Sequence, residues 1–452
     1  MGTRAKRVVP SRVDSRSPRQ RALEAAERVV LQGQSLTQAV DLVTEGLEAR
    51  DAAWVQALAY TTLRWYPQLE GLVSGFLDRP LRRKDAVIGV LLAQGLAELL
   101  HFGTRDHAAV RENAELAREI HRPGAVGMVN AILRRAQREQ EALGRRIAAD
   151  PVLRYAVPAW LLDAVRASWP EDWEALLEAS TRPAPMTLRV NLHHGTREAA
   201  LEALAEAGLP ARPHPALASA LTLEQPADVG ALPGFFDGRL SVQDASAQWA
   251  AALLAPRAGE RVLDACAAPG GKTGHLLEHA VGQLDLTALD NDPERLGQVR
   301  ENLDRLGYPA QLVAADLEAT DAWWGGQAFD AILLDVPCSA TGVLRRHPDI
   351  KTLRRPEDIP RLAAEQARLL AAAWPLLRPG GRLLYATCSL LSPENDAVVA
   401  PFVAATADAR VLPVNGTEGI PGAVARSVGV SLPLGLEGGD GFYYALLEKQ
   451  AR

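Results

Sequence analysis

The chain contains 452 residues, of which 48% are hydrophobic and 23% charged, and its formal net charge is −6. A chain of this length folds as two or three domains, and its balanced composition is that of an ordinary globular protein. No stretch approaches the roughly 18 uncharged apolar residues that span a membrane, and no apolar signal-peptide segment is found near the start. Three cysteines without metal-ligand spacing predict neither disulfides nor a zinc site, so we expect a cytoplasmic protein.

Basic residues are concentrated at the N terminus. Residues 1–21 carry seven Arg or Lys side chains and one acid, Asp14. We predict that residues 1–20 form a disordered basic tail, which either holds a polyanion or has no partner. An organellar transit peptide is a third interpretation.

Residues 21–145 are predicted to form an all-helical domain. Apolar residues in the segment 88–99 recur at the spacing of one helical face, namely Ile88, Leu91, Leu92, Leu96 and Leu99. Two basic clusters, residues 82–84 and residues 134–135, are either phosphate contacts or an ordinary charged helix surface.

Residues 144–158 read as a linker because Pro151 and Pro158 break helices, and residues 146–238 as a small α/β domain. Strands are predicted at 186–191 and 221–223. Between them, a helix at 197–207 has Thr196 as its candidate N-cap. Small domains of this kind present a sheet face to RNA.

From residue 239 to 452 the pattern predicts an α/β domain. Candidate strands at 262–266, 286–290, 311–315, 331–336 and 382–387 alternate with helical segments that include 293–306 and 361–376. This alternation predicts a mostly parallel sheet covered on both faces, with its ligand across the carboxyl ends of the strands.

A glycine-rich loop follows the first of these strands. Asp264 ends the strand, and residues 269–273 (Pro-Gly-Gly-Lys-Thr) lead into a helix, where backbone N–H groups can meet a ligand. The competing interpretation is the phosphate loop of nucleotide hydrolases. That motif requires a glycine at the position of Cys266, and Pro269 removes an N–H donor, so we reject it.

Acidic residues end four successive strands: Asp264, Asp290, Asp316 and Asp335. Asp290 follows the glycine loop by about twenty residues, the place from which a carboxylate accepts ribose hydroxyls. A single acid at a strand end is often a cap. Four in succession predict a site for a nucleoside-containing cofactor.

Two cysteines follow neighbouring strands. Cys338 comes after Asp335-Val-Pro and Cys388 after Ala386-Thr, so adjacent parallel strands would bring both to one rim near Asp335. A buried cysteine is usually a small hydrophobe, but a pair here indicates thiol chemistry. A thiolate that adds to carbon-6 of a pyrimidine makes carbon-5 nucleophilic toward an electrophilic methyl group. The residues alone do not order the two cysteines.

Three motifs resemble those of the S-adenosylmethionine-dependent RNA cytosine carbon-5 methyltransferases: residues 264–273, residues 335–339 with 342–349, and residues 386–389 with 393–395. Residues 102–110 and 129–135 resemble the helical RNA-binding domain related to the antitermination factor NusB. The combination is similar to bacterial 16S rRNA methyltransferases. It implies a NusB-like all-α domain, a small α/β domain (half of an RNA-recognition-motif fold) and a Rossmann-like methyltransferase domain.

The resemblance implies roles for individual residues. Asp290 would hold the ribose, Asp316 would lie near the adenine, and Asp335 would sit by the cytosine and the reactive methyl group. Cys388 would be the nucleophile, and Cys338 would assist release of the product. The cofactor, S-adenosyl-L-methionine, would be lined by Cys266, Ala267, Ala268, Pro269, Gly270, Gly271 and Lys272.

The implied partner is 16S rRNA with an unpaired or flipped cytosine, its backbone contacted by Arg345, Arg346 and Lys351. We expect a monomer with no metal and no membrane partner. Two alternatives stay open: the same chemistry on tRNA, and a non-catalytic RNA-binding or ribosome-assembly factor with a vestigial site. Ala340 stands where the family commonly has glycine.

Overall fold

The computed structural model describes residues 16–414 and 420–451, and the chain divides into two compact units. The first extends through Pro158 and includes Lys351–Leu353, whereas the second comprises Ala159–Ile350 and the chain from Arg354 onward. Of the predicted basic tail, residues 1–15 lie outside the described residues. The next residues are helical: helix α1 begins at Pro18, where Ser17 caps the helix by accepting the Gln20 N–H.

The first unit is helical throughout. Its helices are α1 (Pro18–Gln32), α2 (Leu36–Thr44), α3 (Ala49–Arg64), α4 (Tyr66–Phe76), α5 (Ala86–Ala97), α6 (Asp106–Glu119), α7 (Val126–Arg138), α8 (Gln140–Ala149) and α9 (Pro151–Tyr155). Within the described residues, one helical segment, Arg83–Phe102, is long and apolar enough to cross a membrane. It contains α5, whose apolar residues pack in the core of the unit, so its composition is that of a central helix.

The predicted linker at residues 144–158 is wrong. Helix α8 covers its beginning, and α9 starts at Pro151, with the Asp150 carboxylate accepting the Val152 N–H. Leu153 and Tyr155 are buried. Proline breaks the interior of a helix but favours its first position. The first unit therefore continues past the boundary predicted after residue 145.

The second unit begins with α10 (Ala159–Ser168) and α11 (Trp173–Ser180). A small antiparallel sheet follows, in the order β2-β3-β1-β4, from β1 (Thr187–Val190), β2 (Ala211–Pro213), β3 (Ala220–Leu223) and β4 (Leu240–Val242). Helix α12 (Arg197–Glu206) crosses from β1 to β2, and the Thr196 hydroxyl caps it as predicted by accepting the Ala199 N–H.

The rest of the second unit is a large sheet with helices on both faces. Its strands are β5 (Arg261–Ala265), β6 (Asp285–Asp290), β7 (Gln311–Ala314), β8 (Phe329–Asp335), β9 (Leu377–Thr387), β10 (Ala409–Leu412), β11 (Val424–Ala425), β12 (Val430–Leu432) and β13 (Phe442–Lys449). Its helices are α13 (Ala245–Leu254), α14 (Gly271–His279), α15 (Pro293–Leu306), α17 (Asp358–Ala373) and α18 (Asp396–Ala405). The short helix α16 (Ile350–Leu353) precedes α17 in the chain, and its residues Lys351–Leu353 belong to the first unit.

The strand order is β11-β12-β13-β9-β8-β5-β6-β7, and β10 also pairs with β13. Strands β5 to β9 are parallel, which confirms the predicted mostly parallel sheet. Neighbouring strand residues contribute to opposite cores: Val262 and Leu333 to one, Leu263 and Leu334 to the other. Since β8 and β9 are adjacent, with Asp335 beside Ala386, the two cysteine loops leave the sheet together.

Candidate active site

The glycine loop between β5 and α14 lies at the carboxyl edge of the sheet. Its Ala267 N–H donates to the Leu289 carbonyl of β6 at 3.0 Å. Gly270 has a φ of +94°, and a Cβ there would stand 3.0 Å from Val299 Cα. Only glycine meets both conditions without strain. Gly271 is the first residue of α14, so the loop delivers the chain directly to a helix N-terminus.

Asp290, at the end of β6, holds this loop in place. Its carboxylate is 3% exposed and accepts N–H bonds from Ala268 at 3.0 Å and Asp292 at 3.1 Å. Arg295 completes the connection by donating to the Ala268 carbonyl at 2.9 Å. Asp316 is exposed beyond the end of β7.

Asp264 lies beneath the loop. It is 1% exposed, and its carboxylate accepts the Thr273 hydroxyl at 2.6 Å, tying the first turn of α14 to β5. Burial, reinforced by nearby Asp335, raises the pKa of Asp264 to about 7. The contact with Thr273 means that Asp264 supports the first turn of α14, whereas Asp316 is exposed to solvent.

Lys272 and Asp335 form an ion pair at the centre of the edge. Lys272 Nζ lies 2.6 Å from Asp335 Oδ2 and 5.2 Å from the centroid of the Phe442 ring. Burial lowers the pKa of Lys272, but the Asp335 carboxylate, with help from Cys388 and Asp264, outweighs it and the net pKa is raised. The ammonium group is therefore charged at neutral pH.

The two predicted thiols meet beside this pair. Cys338 Sγ and Cys388 Sγ are 3.4 Å apart, and both residues are free cysteines. The hydrogen bond to Cys388, together with burial, raises the pKa of Cys338 well above its ordinary value. Cys338 is therefore a protonated thiol at neutral pH. Burial also raises the pKa of the third thiol, Cys266.

The prediction that Arg345 and Lys351 contact RNA phosphates is wrong because both are buried, whereas for the half-buried Arg346 it stays a prediction. Arg345 and Lys351 are 8% and 2% exposed. Arg346 donates to Asp440 at 2.5 Å and to Asp244 at 2.7 Å. These cations stabilise the fold, because their partners come from distant parts of the sequence.

Two supporting residues were missed by the sequence analysis. Arg189 of β1 is 1% exposed and donates to the Gly271 carbonyl at 2.8 Å, which links the small sheet to the glycine loop. Glu394 is fully buried below the two cysteine loops. The available signal for Arg189 was a lone cation in an otherwise apolar strand pattern.

In the parts of the chain that the structure describes, no three His, Cys, Asp or Glu side chains form a metal-binding group.

Three protein-family models match the chain in the order of its domains. The NusB family matches residues 16–138, the ferredoxin-like domain of RsmF/B-like methyltransferases matches residues 157–230, and 16S rRNA methyltransferase RsmB/F matches residues 251–448. The chain is 46% identical to ribosomal RNA small subunit methyltransferase B of Pseudomonas syringae pv. tomato over 436 residues, covering 96% of this chain and 97% of that protein.

Solved structures share the architecture. The crystal structure of PH0851 superposes with a TM-score of 0.79 at 21% identity, covering 96% of this chain and 99% of that one. A methyltransferase homolog protein from Pyrococcus horikoshii superposes with a TM-score of 0.58 at 28% identity, covering 66% of this chain and 97% of that one.

A NusB-type helical domain, a ferredoxin-like domain and a Rossmann-like domain with a glycine loop at its strand ends together define a ribosomal RNA methyltransferase. The identity to the Pseudomonas protein extends over nearly the whole of both chains. The chain belongs to the ribosomal RNA small subunit methyltransferase B family, which confirms the family resemblance and the predicted fold class.

Proposed function

We propose that this protein transfers a methyl group from S-adenosylmethionine to carbon-5 of a specific cytosine in 16S rRNA. The observation that carries the proposal is the pair of thiols, 3.4 Å apart, at the ends of adjacent strands. They stand beside the Lys272–Asp335 ion pair, at the edge that also holds the glycine loop. A nucleophile, a carboxylate and a nucleoside site are thereby brought within one short stretch of the sheet edge.

The donor set at this edge fits S-adenosylmethionine, which supplies an electrophilic methyl group when bound. Residues 266–271 have small side chains and end at the N-terminus of α14, so backbone N–H groups are open to an anionic group. The Asp290 carboxylate accepts two N–H bonds, which leaves roughly two of its four lone-pair sites for ribose hydroxyls. Asp316 lies two positions beyond Ala314, the partner of Asp290 in β7, and is assigned to the adenine side.

The two thiols have different roles in the reaction. Cys388, as the thiolate, forms an Sγ–carbon-6 bond with the cytosine, and carbon-5 then accepts the methyl group. Afterwards a water molecule accepts the carbon-5 proton, the C–H electron pair restores the carbon-5–carbon-6 double bond, the Sγ–carbon-6 bond breaks and the Cys388 thiolate is regenerated. Cys338 assists this release, because its protonated thiol, 3.4 Å from Cys388 Sγ, can donate a hydrogen bond to the departing thiolate. Asp335, held by Lys272, steadies the ring.

The target cytosine must be unpaired or flipped, since stacking in a duplex hides carbon-6. For contacts to the RNA backbone we assign the exposed basic residues of the helical unit, Arg82, Arg83, Lys84 and Arg134. An rRNA substrate agrees with a cytoplasmic protein, and the proposed site is complete within a single chain.

The decisive experiment offers the protein unmodified 16S rRNA, or unmodified tRNA, together with labelled cofactor, and maps the methylated base. We expect one cytosine of 16S rRNA to become 5-methylcytosine. Label on tRNA alone would redirect the proposal to that substrate, and no label on either RNA, despite cofactor binding, would contradict it.

Substitution of each thiol tests the mechanism. Cys388→Ala removes the nucleophile, so we expect methyl transfer to fall to background while calorimetric binding of S-adenosylmethionine is unchanged. Cys338→Ala leaves the first half of the reaction intact and should accumulate a covalent protein–RNA adduct, seen as a band shift that survives denaturation. Full activity in Cys388→Ala would show that the nucleophile is assigned wrongly.

A further inference from the structure

One buried carboxylate is bonded to the residues that follow both thiols. Glu394 is 0% exposed, and its Oε1 accepts the backbone N–H of Ser339 at 2.7 Å. Its Oε2 accepts the hydroxyl of Ser339 at 2.5 Å and that of Ser389 at 2.6 Å. Ser339 follows Cys338, and Ser389 follows Cys388. A single side chain therefore joins the two loops that carry the thiols.

Four donor groups surround the Glu394 carboxylate. Gln366 is a further donor to it, with Nε2 at 3.2 Å from Oε1, and the same amide also donates to the Pro337 carbonyl at 2.8 Å. Two hydroxyls, a backbone N–H and an amide can all donate, and a carboxylate accepts all four. The Tyr385 hydroxyl donates to the Glu394 carbonyl at 2.8 Å, which holds the backbone of this residue as well.

The strands alone do not set the distance between the thiols. The β8–β9 ladder ends with Asp335 opposite Ala386, and both cysteines lie beyond it. Past that point hydrogen bonds join the loops directly, including Gly342 N–H to the Cys388 carbonyl at 2.8 Å, Leu390 N–H to the Thr341 hydroxyl at 2.9 Å and a contact of 3.2 Å between the Ser339 and Ser389 hydroxyls. The Glu394 carboxylate adds a bond to each of the two serine hydroxyls.

We infer that Glu394 is a positioning residue that sets the spacing and orientation of the Cys338 and Cys388 thiols through Ser339 and Ser389. The inference rests on the proposed thiol mechanism for its consequence in catalysis, but the spacing itself can be measured without RNA. The Glu394 carboxylate acts through the side chains bonded to it: Ser339 and Ser389 directly, and Gln366, which also donates to the Pro337 carbonyl.

The first test oxidises the two thiols with diamide in the full-length protein. Each thiol loses a proton and an electron, an S–S bond forms, and diamide gains both hydrogens to become a hydrazine. The rate is followed by mass spectrometry of the peptides that contain the two cysteines. Since reaction between held groups depends steeply on their placement, we expect Glu394→Ala to slow disulfide formation at least about tenfold. Glu394→Gln keeps an oxygen and a donor in place and should retain most of the wild-type rate.

Glu98 provides a matched control. It is also a fully buried carboxylate with several donors, bonded to Arg19 and Asn113 in the helical unit. Glu98→Ala should lower stability but leave the rate of disulfide formation unchanged. If Glu394→Ala fails to fold, Ser389→Ala removes one hydroxyl bond at almost no change in volume and should slow the oxidation several-fold. A wild-type rate in folded Glu394→Ala, or in Ser389→Ala when Glu394→Ala does not fold, overturns the inference.

The second test measures catalysis. Glu394→Ala should lower kcat, raise the ratio of covalent adduct to methylated product, and leave the Kd for S-adenosylmethionine unchanged. Glu394→Gln should recover most of the kcat. The two proposals fail differently: absent methylation in the wild type contradicts the proposed function and leaves the oxidation result standing. Normal wild-type methylation with an unchanged oxidation rate in Glu394→Ala contradicts only the positioning role.

Discussion

Replacing Arg189 should lower both the stability of the protein and its affinity for S-adenosylmethionine, and a second substitution should restore only the stability. Its guanidinium group is bonded in bidentate fashion to Glu278, with nitrogen–oxygen distances of 2.8 and 2.6 Å, and it also donates to Gln243 at 2.6 Å and to the Gly271 carbonyl at 2.8 Å. The Glu278 side chain is only 4% exposed. Arg189→Met keeps the bulk of the side chain but leaves a buried carboxylate without its cation.

These contacts set the expected changes in Tm and in the Kd for S-adenosylmethionine. Breaking a buried ion pair by removing one partner costs about 3 to 5 kcal/mol, which corresponds to a fall of about 10 °C in Tm for a unit of this size. Losing the hydrogen bond to the Gly271 carbonyl costs about 1 kcal/mol at the glycine loop, or about a fivefold increase in Kd for S-adenosylmethionine. The double variant Arg189→Met with Glu278→Leu should recover most of the Tm, because no charge is left unpaired.

The assay compares thermal unfolding with calorimetric cofactor binding for the wild type, the single variant and the double variant. The double variant should combine near-wild-type stability with weakened binding, since the link to Gly271 is still missing. Near-wild-type binding in the double variant would refute a role for Arg189 at the loop. A single variant as stable as the wild type would refute the electrostatic argument.

Three further predictions concern backbone conformation and pH. Gly270→Ala places a Cβ 3.0 Å from Val299 Cα at a φ of +94°, a strain cost of roughly 1–3 kcal/mol, so calorimetry should show the Kd for S-adenosylmethionine raised about five- to hundredfold; an unchanged Kd would contradict the strain argument. Ala340 has a φ of +61°, and Ala340→Gly should raise the free energy of unfolding in urea by about 1 kcal/mol; a decrease would contradict the strain argument. The pKa of Asp264 is raised to about 7, so its stabilising contribution is present at low pH and is lost as pH rises toward 7. Asp264→Asn does not titrate, so between pH 5 and 8 its free energy of unfolding should rise relative to that of the wild type by about 3 kcal/mol; a pH-independent difference would refute the shift.

Local patterns predicted much of the fold. Helix α15 occupies the predicted residues 293–306, and the Thr196 N-cap is present, because capping and periodicity act over a few neighbouring residues. Helix α9 was missed because a proline that ends a helix and a proline that begins one look alike locally. Strands β10 to β13 were also missed.

The exposure of basic side chains was the property that the sequence predicted least well. Arg345, Arg346 and Lys351 looked like surface cations, since a basic side chain is usually exposed. Arg346 is half-buried and pairs with Asp244 and Asp440, about a hundred positions away in the chain in either direction. No property of the local sequence predicts such ion pairs.

Residue types and their short-range spacing were enough to predict the order of the domains, the glycine loop, the acids at the strand ends and the two cysteines that follow neighbouring strands. Only the tertiary structure decided that Cys338 and Cys388, 50 positions apart, lie 3.4 Å from each other. It also placed Glu394 below them and joined Arg189 to the glycine loop. These arrangements follow from the strand order and packing, which bring distant segments together and which hydrophobic periodicity does not specify.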